Sequence, residues 1–197
     1  MVALSSFLSG DHTLLIVLSV GSLLAVCVPL WRGARLCLQA RAATRRLGRA
    51  ELEKRVQRPP GEQAEPLGLV TLRVLRKSLE EGGEAYPTEF VIDASRQYAA
   101  HQYDASYASL ISMYANLLPP IGFIGTTSGL LILFLSLHLA DTALELGALA
   151  LALTSSIFAL IGFALLEGLK IHLYGRLLTS LDDAIALHRS LQKHPAG

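Results

Sequence analysis

The sequence ANLLPPIGFIGTTSGLLILFLSLHLA, residues 115–140, points most directly to the fold. It contains no Asp, Glu, Lys or Arg, and it exceeds the ~20 apolar residues that a helix needs to cross a bilayer. The same stretch holds two prolines, three glycines and a Thr-Thr-Ser cluster, which interrupt helices or add polar groups. We therefore expect this span to have a packing or functional task besides crossing the membrane.

Charged residues divide the whole chain into apolar runs and polar segments. Of the 17 Lys and Arg residues, 13 lie between Arg32 and Arg96 and the other four lie from Lys170 onward. The chain is 52% hydrophobic with a mean hydropathy of +0.45, which is too apolar for an ordinary soluble domain. We predict an all-α membrane protein with three transmembrane helices, at residues 13–31, 115–139 and 146–169.

The basic residues also predict the orientation, because loops rich in Lys and Arg stay in the cytoplasm. Arginines follow the first span from Arg32 onward, and Lys170 follows the third span. The loop between the second and third spans has Asp141 and Glu145 but no basic residue. The predicted segments are an outer N-terminus (1–12), a cytoplasmic helical domain (32–114) with a Pro-rich linker (59–66), an outer loop (140–145) and a cytoplasmic C-terminal helix (170–197).

Helical periodicity predicts the elements of the cytoplasmic part. One helix starts at Pro87 or Thr88, and because no stop signal precedes Tyr114, we expect it to continue into the second span. The third span is expected to continue into the C-terminal helix in the same way. Apolar faces at helical spacing are Leu69, Leu72, Leu75 and Leu79 in one segment, and Leu177, Leu181, Ile185 and Leu191 in another.

Small and polar side chains line one face of the helix that begins near Thr88, and we expect this stripe to suit close helix contact. The stripe comprises Ala94, Tyr98, His101 or Gln102, Ala105 and Ser109. His101 in this stripe is expected to be a solvated side chain.

The sequence has no phosphate loop, metal cluster, nucleophile motif or paired acid, so we expect no enzyme activity, no cofactor and no metal site. The net charge of +1 does not indicate a nucleic-acid partner.

The second and third spans form a predicted hairpin with polar groups at matching depth. Thr126 lies 15 residues before Asp141, and Thr154 lies 12 residues after Thr142. A difference of three residues corresponds to ~4.5 Å along a helix. The two hydroxyls are therefore expected at similar depth inside the apolar layer.

A face of small residues accompanies these hydroxyls. Glycines at i, i+3 and i+7 allow helices to approach closely, which drives association in lipid. On this reasoning two interpretations stay open: tight packing with hydroxyls bonded to their own helix at i−4, or a hydroxyl-lined pathway between helices of several subunits. The small residues are Gly122, Gly125 and Gly129 in the second span, and Ala148, Ala152, Ser155 or Ser156, Ala159 and Gly162 in the third.

The segment PPIGFIGTTSG (119–129) resembles the P-x-x-G-x-x-G-T-x-x-G signature of the MotA/TolQ/ExbB proton-channel family. The third span is similar to the small-residue helix of that family, whose central Thr corresponds to Thr154, and the predicted topology agrees as well. The matching positions of the signature are Pro119, Gly122, Gly125, Thr126 and Gly129.

The resemblance implies a subunit of a proton-motive-force-driven motor or stator in the bacterial inner membrane. It implies a homopentamer, surrounded by membrane lipid, that encloses a dimer of a single-span protein of the ExbD/TolR/MotB type. An Asp in that partner's span would carry the proton. The residues implied to line the pore are Thr126, Thr154, Ser155 and Gly129, and those implied in helix packing are Pro119, Pro120, Gly122, Gly125 and Gly162.

The chain departs from the family pattern in the third span. Leu149 stands where ExbB- and TolQ-like members have a Glu, Ile157 replaces a usual Gly, and Phe163 replaces a common Pro. Glu167 is the only acid near the interior of a span and is a candidate for the proton exit, although it is close enough to the boundary to pair with Lys170. The alternative function is a non-conducting membrane scaffold built on the same glycine-packed hairpin.

Overall fold

The computed structural model describes residues 11–56, 65–82, 87–137 and 142–193. In these ranges 94% of the residues are helical and no strand occurs, which confirms the prediction of an all-α protein. A π-helical segment, Asp104–Ala108, joins the fourth and fifth helices. The helices are α1 (Asp11–Ala43), α2 (Arg49–Val56), α3 (Leu67–Gly82), α4 (Thr88–Tyr103), α5 (Ser109–Ser136) and α6 (Thr142–Lys193).

Three helices are long and apolar enough to cross a membrane, as the sequence predicts. They lie within α1, within the continuous run of α4 and α5, and within α6. The predicted spans at 13–31 and 146–169 lie wholly inside α1 and α6, and the span at 115–139 lies in α5 up to Ser136. Each predicted span therefore coincides with a helix that could cross a membrane, the second as far as Ser136.

Both predicted continuations of helices are confirmed. From Thr88 to Ser136 the helix is unbroken, because the Ser109 amide donates to the Asp104 carbonyl five residues earlier and so bridges the π-helical segment. The helix α6 runs from Thr142 through the third span to Lys193. The helix α5 also passes through Pro119 and Pro120 without ending.

Several predicted segments lie partly or wholly outside the described residues. Of the N-terminal segment (1–12), only residues 11 and 12 are described, as the start of α1. The linker at 59–66 is described only at Glu65 and Pro66, and the loop at 140–145 only from Thr142, where α6 begins.

The chain divides into two compact units. The first, which we call the apolar unit, comprises Met1–Ala34 and Ser112–Glu167, and it contains the three predicted spans almost entirely. The second, which we call the charged unit, comprises Arg35–Ile111 and Gly168–Gly197. The charged unit contains ion pairs between its segments, among them Arg46–Asp183, Arg96–Asp182 and Arg189–Glu89.

The charged unit has a leucine-rich core built on the predicted apolar faces. Leu75 packs with Ile92 and Ile185, and Leu79 covers this cluster in part. Leu177, Leu181 and Ile185 are buried, whereas the side chain of Leu191 lies outside the described part of the chain. The predicted helix faces are thus confirmed where they are described. A neighbouring cluster comprises Leu47, Leu52, Leu69, Leu72, Ala184 and Leu187.

The small-residue stripe of α4 does not make the expected contact within the chain. All its members, from Ala94 to Ser109, are exposed. The buried face of α4 instead presents Ile92, Ser95, Ala99 and Tyr103. Ile92 and Tyr103 on that face are 5% and 0% exposed, so the packed face of α4 is the one beside the stripe.

Candidate functional site

The helices α5 and α6 touch along the glycine face of α5. A methyl group built on Gly129 would lie 2.7 Å from the Ala148 carbonyl oxygen and 2.8 Å from the Ala152 amide nitrogen. A methyl group on Gly122 would lie 2.6 Å from the Ala159 Cβ. These distances leave no room for a side chain, so glycine at these positions permits the two backbones to approach.

Gly125 gives room to two hydroxyl groups from other helices. A methyl group there would lie 1.8 Å from the Ser155 Oγ and 2.9 Å from the Ser22 Oγ. The Ser22 hydroxyl of α1 donates a hydrogen bond of 2.9 Å to the Ser155 Oγ of α6. All three helices of the apolar unit therefore meet at this point, and Ser155 is buried there.

Thr126 lies next to this point and is directed toward α6. Its hydroxyl is 3.1 Å from the Gly122 carbonyl of its own helix and 3.3 Å from the Ala152 carbonyl of α6. It also forms a short hydrogen bond with the Ser156 hydroxyl, which itself lies 3.3 Å from the Gly122 carbonyl. The Thr126 and Ser156 hydroxyls have one proton each; the Gly122 carbonyl oxygen can accept either of them, and the Ala152 carbonyl oxygen can accept that of Thr126. Rotation of a hydroxyl can therefore exchange one hydrogen bond for another without either helix moving.

Thr154 faces a different neighbour from Thr126. It is exposed, and it lines a groove of about 500 Å³ between α1 and α6 together with Ser22 and Ser155. The walls of this groove are apolar, with Phe158 among them. Of the two threonines that the sequence places at equal depth, Thr126 is therefore hydrogen-bonded to α6, and Thr154 is exposed in the groove between α1 and α6.

The neighbouring polar residues of α5 have separate environments. The Thr127 hydroxyl is exposed and donates to the carbonyls of its own helix, 3.1 Å from Phe123 and 2.9 Å from Ile124. Ser128 is partly buried and lines a second groove of about 280 Å³ between α1 and α5, which also borders Gly21. Thr127 thus has the self-bonded role expected of a packing residue.

The remaining predicted residues lie toward the other end of the unit. The Ser112 hydroxyl of α5 donates to the Glu167 carboxylate of α6 at 3.3 Å, and Glu167 is partly buried. Gly162 is buried against Leu118 of α5 and Leu30 of α1. The two prolines of the motif are partly buried at position 119 and exposed at position 120.

Sequence reasoning missed Ser22 and named Ser155, not Ser156, among the implied pore-lining residues. Within the chain Ser155 is buried beside Ser22 and Gly125. A signal for Ser22 exists, because it is a polar residue in the middle of an otherwise apolar span. Among the described residues, no group of three or more His, Cys, Asp or Glu side chains could hold a metal ion. Comparison with known protein families, curated proteins and solved structures finds no match for this chain.

Proposed function

We propose that the chain is the pore-forming subunit of a complex in the bacterial inner membrane that uses the proton-motive force. The observation that carries this proposal is the hydroxyl cluster where the three apolar helices meet, at Ser22, Thr126, Ser155 and Ser156. Polar groups are costly in hydrocarbon, so a cluster there either secures the helices or serves transport. Its location on the glycine motif that resembles the MotA/TolQ/ExbB signature favours transport.

The proposed orientation has the N-terminus outside and the C-terminus in the cytoplasm. Positive charges follow the first and third spans, which retains those ends inside. The charged unit, which contains ion pairs such as Arg46–Asp183, would then be the cytoplasmic domain. This arrangement keeps the charged side chains in water and the apolar surfaces of α5 and α6 in lipid or in subunit contacts.

In the proposed complex α5 and α6 of five subunits surround a dimer of single-span partners. Thr154 is exposed, and its hydroxyl is available to a group outside the chain. Thr126 and Ser156 are hydrogen-bonded to each other, which suits them to support the pore wall behind Thr154. Because Leu149 supplies no carboxylate, the acid that carries the proton would belong to the partner, as the resemblance implies.

A non-conducting scaffold is the second candidate function, and one observation favours it. Ser22 is bonded to Ser155, and Thr126 is bonded to Ser156, so these hydroxyls have partners inside a single chain. Hydroxyls satisfied in this way can stabilise a helix bundle without any transport. In this case Thr154 would face lipid or a structural neighbour.

Proton flux in liposomes separates the two functions. The chain would be purified with a co-expressed single-span protein that carries a membrane Asp and reconstituted into liposomes that enclose a pH-sensitive dye. A potassium gradient with valinomycin would then drive protons into the liposomes, where the dye reports the change in pH. We expect Thr154→Val to lower the flux at least about tenfold, which is ~1.4 kcal/mol in the barrier. Thr127→Val is the matched control, because Thr127 bonds only to its own helix and should leave the flux unchanged.

Native mass spectrometry of the same samples verifies that each variant still assembles. Thr126→Val is expected to lower the flux as well, with the subunit number unchanged. Flux at the level of empty liposomes from an intact wild-type complex would favour the scaffold. Normal flux from both the Thr126 and the Thr154 variants would contradict the assignment of these hydroxyls to the pore.

A further inference from the structure

We infer that Ser22 of α1 is a positioning residue, whose hydrogen bond to Ser155 sets the rotation of α6 and keeps Thr154 directed outward. The contact is direct, with 2.9 Å between the two Oγ atoms, and Ser155 is only 6% exposed. The consequence for transport rests on the proposed function, whereas the rotation of α6 does not. The first span would thus control the pore-facing residue without lining the pore.

Two consecutive serines hold α6 from two sides. Ser155 bonds to Ser22 on α1, and Ser156 bonds to Thr126 on α5. Neighbouring residues of an α-helix point about 100° apart, so these two bonds fix the angle of α6 about its own axis. Thr154 precedes this pair and is exposed in the groove between α1 and α6. If either bond were lost, the direction of Thr154 would be less restricted.

The packing of α1 makes the Ser22 bond important for this angle. Toward its C-terminal end α1 is closely packed, since a methyl group on Gly162 would lie 3.3 Å from a Leu30 methyl and one on Gly33 would lie 2.7 Å from a Leu166 methyl. At Ser22 the packing is open on both sides, because this residue lines both the 500 Å³ and the 280 Å³ groove. A polar contact there has no dense apolar packing to replace it.

The membrane environment strengthens this argument. Apolar side chains gain little by leaving lipid for one another, so packing and cross-helix hydrogen bonds determine how spans associate. Gly125 makes the bond possible, because a methyl group at that position would overlap the Ser155 hydroxyl at 1.8 Å. The glycine of the motif, the serine of α6 and the serine of α1 therefore form one contact that neither the second nor the third span could form alone.

Cysteine cross-linking tests the rotation without any transport assay. The full chain would carry Cys27→Ala and Cys37→Ala, which remove both native thiols, and copper phenanthroline would be the oxidant. Ser22→Cys with Ser155→Cys should form a disulfide efficiently. The native oxygens are 2.9 Å apart, so sulfur atoms in their place need only a small shift to reach the disulfide length of about 2.05 Å. Ser22→Cys with Ser156→Cys is the control, in which the second cysteine lies one position further along α6, and this pair should form little disulfide. Equal yields from the two pairs would overturn the inference.

Proton flux tests the consequence of this rotation. We expect Ser22→Ala to lower the flux about threefold, the factor corresponding to an average cross-helix hydrogen bond in a membrane. Ser22→Thr should restore it, since it keeps the hydroxyl and the two grooves can accept the extra methyl group. Ser136→Ala is the matched control, because within the described part of the chain the Ser136 hydroxyl donates to Leu133 of its own helix and to no other helix.

The same measurements distinguish failure of this inference from failure of the proposed function. If Thr154→Val abolishes the flux but Ser22→Ala leaves it normal, the positioning role is wrong and the channel remains. If no variant or wild-type complex conducts, the channel is wrong and the cross-linking pattern alone decides the rotation. In the Thr154→Val background Ser22→Ala should add no further loss; an added loss would show that Ser22 acts by another route.

Discussion

Replacement of Gly129 by Ala should separate α5 from α6 and destabilise the apolar unit. The new methyl group would lie 2.7 Å from the Ala148 carbonyl oxygen and 2.8 Å from the Ala152 amide nitrogen. Both are backbone atoms, which cannot rotate away as a side chain can. To reach an ordinary contact of 3.4 Å, the helices must part locally by about 0.7 Å.

The expected magnitude follows from two opposing effects. Overpacking of this kind costs about 1–3 kcal/mol, whereas Gly→Ala in a helix interior gains about 1 kcal/mol in helix propensity. Gly21→Ala supplies the matched control, because among the described residues no heavy atom outside its own helix backbone and chain neighbours lies within 4 Å of the new methyl group. The free energy of unfolding of the Gly129 variant should therefore be about 1–3 kcal/mol below that of the Gly21 variant.

Titration of the micelle-bound chain with SDS, followed by far-UV circular dichroism, measures this difference. Both variants change one glycine of a predicted span to alanine, so any effect of this change in composition on detergent binding cancels in the comparison. Equal midpoints for the two variants would refute the close approach of α5 and α6 at Gly129. A midpoint for Gly21→Ala below that of the wild type would refute the open space at that position.

Three further predictions concern the charged unit and use thermal unfolding of the full chain in detergent. Tyr103→Phe should leave the free energy of unfolding unchanged or raise it by up to about 1 kcal/mol, because the buried Tyr103 hydroxyl has no hydrogen-bond partner among the described residues. A loss of stability of more than about 1 kcal/mol would indicate that this hydroxyl has a partner. Leu181→Ala should cost about 2–5 kcal/mol because Leu181 is fully buried, whereas Leu38→Ala, at a position 66% exposed, should change stability by less than about 0.5 kcal/mol. Arg189→Ala should cost less than about 1 kcal/mol, since its ion pair with Glu89 is largely exposed, and a larger loss would show that the pair is part of the core.

Much of the candidate site could be predicted from the spacing of residues in a single helix. Glycines at i, i+3 and i+7 share a face by helix geometry alone, and this face does meet α6 at Gly122 and Gly129. The equal depth of Thr126 and Thr154 likewise follows from counting residues along the hairpin. The partner of each hydroxyl could not be predicted, because it depends on how far each helix is rotated about its axis.

The stripe on α4 illustrates the same limit in the charged unit. Small residues from Ala94 to Ser109 predicted a helix contact, yet the neighbouring face with Ile92 and Tyr103 is the one that is buried. Both faces repeat at helical spacing, so periodicity cannot rank them. The competition is decided by the shape and apolar area of the helices that happen to lie alongside.

The sequence by itself determined the three apolar helices, their continuation beyond the spans and the face that carries the glycines. These properties depend on local hydropathy, residue spacing and the absence of helix-ending signals, all of which are written along one segment of chain. Only the tertiary structure decided that Ser155 bonds to Ser22, that Thr126 bonds to Ser156 and that Thr154 remains exposed. Those outcomes depend on contacts between residues more than 25 positions apart, where helix rotation and the room left by Gly125 determine which hydroxyls can meet.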